Sequence, residues 1–121
     1  HEPVRAAVDE LEAQLEGVVG IVVYGSVASG EADRRSDIDL WVLVEEDRME
    51  NQRTGNRVRQ GLEDSTFDSG RYAYEIDVEA LPAVPNYADD LRDVLSGGIV
   101  LHSTEKFETV RNMIFHGDLD G

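Results

Sequence analysis

The chain has 121 residues, 40% of them apolar, with 26 acidic residues against 11 basic ones and a formal charge of -15. That is the length of one domain with room for a real core, and residues 1–121 are expected to form it. The absence of cysteine excludes disulfide frameworks, thiolate zinc sites and thiol catalysis. No apolar run approaches the ~20 residues needed to span a membrane, and no signal peptide is visible, so a cytoplasmic protein without membrane attachment is expected. The chain opens on His1 rather than Met, which leaves an upstream segment open. Ten arginines and one lysine, Lys106, make up the bases, and the acids are interleaved with apolar segments rather than gathered in a tail. That pattern suits a folded protein in high salt, where a Debye length of ~3 Å screens self-repulsion. A halophilic source is expected.

Pro3 fits the first turn of a helix, and Val4, Ala7, Val8, Leu11 and Leu15 recur at helical spacing until Gly17 stops the pattern. Val18 to Tyr24 is a continuous apolar run and predicts a buried strand. The stretch from Gly25 to Ser36 is small and polar. Ile38 to Val44 predicts a second buried strand. Residues 48–64 are polar apart from Met49, Val58 and Leu62; a helix is expected there, weakened by Gly55 and Gly61. From Tyr72 to Leu81 the pattern alternates, with Tyr74, Ile76 and Val78 on one face and Glu75, Asp77 and Glu79 on the other. Pro82 and Pro85 end that strand. Asn86 is the expected cap of a helix through Leu95, closed by Gly97 and Gly98. Ile99 to His102 predicts a short fourth strand, and Ser103 or Thr104 caps a last helix carrying Phe107, Val110, Met113 and Ile114. Strands alternating with helices imply an α/β domain of two or three layers.

The informative segment runs from Val22 to Val44. A buried strand delivers Gly25-Ser26; ten residues later Asp37-Ile38-Asp39 enters a second buried strand. Seven acid-x-acid pairs occur in the chain, so the spacing alone carries little. Position singles this one out, because Asp39 lies between Ile38 and Leu40 at the start of a core strand. A carboxylate there costs several kcal/mol unless it is paired or bound to a metal. Asp37 and Asp39 fall on one strand face, ~6–7 Å apart, where they can converge on a hard cation such as Mg²⁺. Neither His nor Cys stands beside them, which argues against zinc. A glycine ending a strand lets a ligand approach the backbone, and free N–H groups opening a helix bind phosphate, with the Ser26 hydroxyl as a further donor. The combination suits a metal-chelated triphosphate.

In these residues the chain resembles the DNA polymerase β-like nucleotidyltransferases, and within them the minimal nucleotidyltransferases. Gly25-Ser26 and Asp37-Ile38-Asp39 match the Gly-Ser, ten residues, Asp-x-Asp pattern without gaps, and the likeness extends over roughly residues 18–102. The resemblance implies a single nucleotidyltransferase domain built on a mixed sheet of about four strands flanked by helices. It implies a pair of Mg²⁺ ions and the transfer of a nucleoside monophosphate from ATP or another nucleoside triphosphate to a hydroxyl, with pyrophosphate released. It needs a third carboxylate; of Glu75, Asp77 and Glu79, Asp77 fits the family's Asp-Val best and Glu75 comes second. Asp37, Asp39 and Asp77 are then the catalytic and metal-binding residues, and Gly25 and Ser26 hold the nucleotide. Many relatives carry Arg after Gly-Ser where this chain has Val27, so the phosphate contact is absent or passes to Arg34 or Arg35.

Minimal nucleotidyltransferases often serve as antitoxins that add AMP to a helical HEPN-type partner, and such a partner is what the resemblance implies here. A module that neutralises its partner by binding alone is the alternative. His1, His102 and His116 show no ligand spacing, and Tyr72, Tyr74 and Tyr87 are expected to pack rather than to stack a base. Residues 48–61 carry a local charge of +3 against -18 for the rest of the chain, a solvated face or a patch for phosphate or an acidic partner. A chain this negative repels nucleic acid, so a protein hydroxyl is the expected acceptor. Oligomeric state is left open.

Overall fold

The computed structural model describes residues 2–25, 37–67 and 70–116. Four strands, β1 (Val18–Tyr24), β2 (Ile38–Val44), β3 (Tyr74–Ala80) and β4 (Ile99–Ser103), form one sheet in the order β3-β2-β1-β4. β1 runs antiparallel to both β2 and β4, whereas β2 and β3 run parallel. A parallel pair needs a crossover, and α2 (Arg48–Glu63) supplies it. The other described helices are α1 (Glu2–Gln14), α3 (Val84–Gly97) and α4 (Glu105–His116).

The two faces of the sheet bury different partners. Ile21, Val23, Ile38, Leu40, Val42, Ile76 and Val78 pack against Val4, Ala7, Val8 and Leu11 of α1 and Val58 and Leu62 of α2. On the opposite face Val19, Val22, Trp41 and Leu43 meet Val84 and Leu91 of α3 and Phe107, Val110 and Ile114 of α4. The domain therefore has three layers, and two-sided burial explains why β2 is apolar without a break from Leu40 to Val44. α1 ends as expected, with Gly17 at φ 67 turning the chain out of it. Phe107 lies with its ring where a Cβ on Gly20 would stand, so α4 seats directly on the backbone of β1. Of the two candidate caps for α4, Thr104 serves. Its hydroxyl accepts the Phe107 N–H at 3.3 Å and donates to the Val19 carbonyl at 2.7 Å. The Ser103 hydroxyl instead donates to Glu108, at 2.6 Å.

Two element starts differ from expectation, each for a local reason. β3 begins at Tyr74 rather than Tyr72, because the Tyr72 ring turns to pack edge-on against Phe67 at 6.3 Å. α3 begins at Val84, two residues before Asn86, after a 3₁₀ turn over Leu81–Ala83. Pro82 and Pro85 sit in the first turns, where a missing N–H costs nothing, so the prolines that end β3 also open the helix. A kink at Tyr87 (φ -126, ψ 22) lets its hydroxyl donate to the Ala80 carbonyl at 2.6 Å and its ring meet Trp41 edge-on at 5.7 Å. Finally, α2 runs through both of its glycines. Gly55 faces Ile76 and Val78, and a Cβ there would touch their methyl groups at 3.5 and 3.6 Å. The burial of Val58 and Leu62 offsets a propensity cost of about 1 kcal/mol per glycine.

Candidate active site

Register assembles the site. The antiparallel pairing sets Tyr24, the last residue of β1, opposite Asp39 near the start of β2. The turn at Gly25 and the entry at Asp37 thus occupy the same end of the sheet. The parallel pairing of β2 with β3 sets Asp39 abreast of Glu75 and Trp41 abreast of Asp77. Leu40 and Ile76 point to the α1/α2 side. Alternation therefore turns Asp39, Glu75 and Asp77 to the other face.

Gly25 is fixed by contact as well as by conformation. Its φ is 76, and a Cβ there would collide with the Asp39 carboxylate oxygen Oδ2. No other residue type combines that backbone with that proximity. Across the site the Tyr24 hydroxyl donates to Asp77 Oδ2 at 3.1 Å, reaching over β2 to the outermost strand. Burial and the Asp77 carboxylate push the Tyr24 hydroxyl well above its ordinary range, so it remains a protonated donor.

The carboxylates crowd one another. Asp39 is pushed up to about 6, first by burial, then by a hydrogen bond with Glu75 and by the charges of Glu75, Asp37 and Asp77. Asp37 itself is exposed. Four carboxyl groups held within electrostatic reach, with oxygen as their donor atom and no soft ligand among them, form the donor set a hard divalent cation takes. Such an ion would relieve the like-charge cost that raises Asp39. The groups are not closed into a ready cage. Among the described residues no three acidic or histidine side chains converge as a metal cluster, since Asp39 pairs with Glu75 and Asp77 with Tyr24.

The structure brings together Gly25, Asp37, Asp39 and Asp77 of the expected set, and draws Glu75 in beside them. Ser26, Arg34 and Arg35 lie outside the described residues, as does His1. His102 is held at 3.1 Å from Glu12, away from the carboxylates. Tyr74 and Tyr87 are packing residues, the former buried with its hydroxyl donating to the Pro3 carbonyl at 2.9 Å. The role of Tyr24 was missed by sequence reasoning. Its signal was the one polar atom on an otherwise aliphatic strand, immediately before Gly25. A hollow of about 510 Å³ between α1 and β4, lined by Val4, Val8 and Leu101, carries none of these groups.

Residues 4–93 match the model of a protein family described as nucleotidyltransferase domain. No curated protein matches the chain. Among solved structures, a toxin–antitoxin with AMP-PNP aligns at a TM-score of 0.61 and 17% identity, covering 96% of this chain and 90% of that one. A mutant of the MntA–HpeT toxin–antitoxin aligns at 0.62 and 15% identity, with 96% and 90% covered. A tri-AMPylated Shewanella oneidensis HEPN toxin in complex with its MNT antitoxin aligns at 0.58 and 14% identity, with 98% and 91% covered. At such identities the likeness is one of fold: a four-stranded mixed sheet flanked by helices, as in polymerase β-like nucleotidyltransferases.

Proposed function

The chain belongs to the nucleotidyltransferase domain family, and from that premise we propose that it moves a nucleoside monophosphate from a nucleoside triphosphate, ATP foremost, to a hydroxyl on a partner protein. The observation that carries this is the Asp39 carboxylate, raised by burial and by Glu75, Asp37 and Asp77, and lying against the glycine that ends β1. A structure similar in fold holds AMP-PNP, which supports ATP as the donor. Another pairs an MNT antitoxin with a tri-AMPylated HEPN toxin, which supports a HEPN-type partner and an antitoxin role.

Asp37, Asp39 and Asp77 would hold Mg²⁺, with Glu75 poised beside Asp39 as a further ligand. Bound there, Mg²⁺ would offset the charge of the triphosphate and of the departing pyrophosphate. Gly25 leaves the backbone open for close approach of the phosphates, and Ser26, Arg34 and Arg35 are the proposed contacts beyond it. The acceptor oxygen bonds to the α-phosphorus as the bond from that phosphorus to the α–β bridging oxygen breaks. Pyrophosphate leaves with the bonding pair, and the hydroxyl proton passes to a carboxylate of the site. Tyr24 keeps Asp77 oriented throughout. The chain supplies positioning and electrostatics, with no covalent intermediate.

Calorimetric titration of Mg²⁺–ATP into the wild type and Asp39→Asn tests the assignment. Binding by the wild type and its loss in the variant are expected; equal affinity would sink it. No binding by either protein would turn the account toward neutralisation of the partner by contact alone.

A further inference from the structure

The order of the sheet separates two sides of the carboxylate group. Gly25 closes β1, Asp39 opens β2, and Glu75 and Asp77 lie on β3, the outermost strand. A triphosphate drawn to the Gly25 turn therefore lies on the β1 side, which leaves the β3 side for whatever receives the transferred group.

No further strand follows β3 among the described residues. Instead α2 lies along that edge, and its side chains take the backbone groups a neighbouring strand would use. Gln52 donates through Nε2 to the Ile76 carbonyl and accepts the Val78 N–H at Oε1, both at 2.9 Å. Arg48 Nε donates to the Val78 carbonyl at 3.1 Å, and Glu63 accepts the Tyr74 N–H at 2.8 Å. The edge is closed to strand addition. Outside it remains a groove of about 500 Å³, with Asp37, Glu75 and Asp77 on its inner wall and α2 as its outer wall.

The outer wall carries the positive charge of an otherwise acidic chain. Arg48 and Arg59 both line the groove. They stand eleven residues apart on α2, which is ~16 Å along a helix at 1.5 Å per residue. Among the described residues each has one carboxylate partner, Glu79 at 3.6 Å and Glu63 at 3.0 Å, and both side chains remain more than a third exposed. A guanidinium has five N–H donors, so each keeps capacity for a second carboxylate.

We propose that this groove binds the acceptor, and that the acceptor is an extended protein segment whose hydroxyl-bearing residue is flanked on both sides by carboxylates. This rests on the transferase function proposed above. An extended chain covers ~16 Å in about five residues. Acidic residues two or three positions to either side of the hydroxyl then reach Arg48 and Arg59, while the hydroxyl lies midway, facing Glu75 and Asp77. Nucleic acid fits worse, since a phosphate at every nucleotide would meet the carboxylate wall between the two arginines.

The test uses fluorescein-labelled peptides with a central tyrosine and either glutamate or lysine at the second and third positions on each side. Binding is followed by anisotropy in Mg²⁺ without ATP, so no transfer is required, at physiological ionic strength, where a Debye length of ~8 Å screens remote charge. The glutamate peptide is expected to bind at least about tenfold tighter than the lysine peptide. Arg59→Glu removes that preference, and Arg59→Gln weakens it. Arg111→Glu changes the net charge equally, from an exposed position on α4 paired with Glu108, and preserves it. Among the described residues the Arg59 side chain pairs with Glu63, which also accepts the Tyr74 N–H; an unchanged melting temperature of each variant, with Arg59→Gln adding no charge beside Glu63, shows that the sheet edge is intact. Equal or tighter binding of the lysine peptide would overturn the proposal. So would equal effects of Arg59→Glu and Arg111→Glu, or displacement of the glutamate peptide by a single-stranded oligonucleotide. The expected binding pattern without label transfer from ATP would support the groove and count against the transferase function alone.

Discussion

Replacing Asp39 by Asn should stabilise the metal-free protein at neutral pH while abolishing its activity. Folding raises the Asp39 carboxyl from an ordinary 3.8 to about 6. The folded state therefore holds a proton that the unfolded chain has released, and the stability associated with this group falls as pH rises from 4 to 6. In full that displacement corresponds to about 3 kcal/mol. The site is partly open to water, which discounts it to about 1 kcal/mol. Asp39 and Glu75 share a hydrogen bond, so the slope belongs to the pair. Urea unfolding in EDTA, followed by the fluorescence of Trp41, the single tryptophan, measures it. With m between about 1 and 3 kcal/mol/M, the variant's midpoint should exceed the wild type's by about 0.3–1 M above pH 6, and the two should converge below pH 4. Because burial is the largest cause, much of the difference should persist in molar KCl, where the Coulomb part is screened. Parallel stability–pH curves, or a variant less stable than wild type at pH 7, would refute the claim that Asp39 is held there against its own preference.

Gly20→Ala drives a methyl group into the Phe107 ring and should cost about 2 kcal/mol or more by overpacking; a urea midpoint indistinguishable from wild type would contradict that packing. Gly61→Ala, in α2 with nothing within 4 Å of the added methyl, should gain about 0.5–1 kcal/mol in the same assay. With 26 acids against 11 bases, the melting temperature should climb from dilute to molar KCl as self-repulsion is screened, and a flat profile would count against a halophilic origin.

Most of the frame was legible because periodicity reports burial. Alternation in β3 gave the faces of that strand, the apolar stretch from Leu40 to Val44 marked β2 as buried on both sides, and Gly25 with Asp37 and Asp39 marked the end of the sheet where they meet. Sequence left open which carboxylate of β3 stands beside Asp39. That depends on the parallel register of β2 and β3, which no local pattern encodes; the register puts Glu75 abreast of Asp39 and hands Asp77 to Tyr24. The helix α2 was placed at its observed position but weakly supported by its own residues, for a similar reason. Its stability comes from contacts with a strand that follows it in the chain, including the Gln52 amide on Ile76 and Val78 and the close approach at Gly55. Asn51 was likewise invisible as a structural residue. It is buried, bonded to the backbone of Glu16 through both ends of its amide and to the Glu46 carbonyl, and it ties the link between α1 and β1 to the start of α2.

The central claim is transfer of a nucleoside monophosphate to a protein hydroxyl at Asp39, and position-specific labelling tests it most directly. The purified protein is incubated with Mg²⁺ and the HEPN-type partner proposed above, once with ATP labelled at the α-phosphate and once with ATP labelled at the γ-phosphate. The account predicts that the partner acquires α-label but no γ-label, that pyrophosphate appears in equal amount, and that Asp39→Asn yields neither. Transfer of the γ-label, α-label on nucleic acid but never on protein, or full transfer by Asp39→Asn would contradict it.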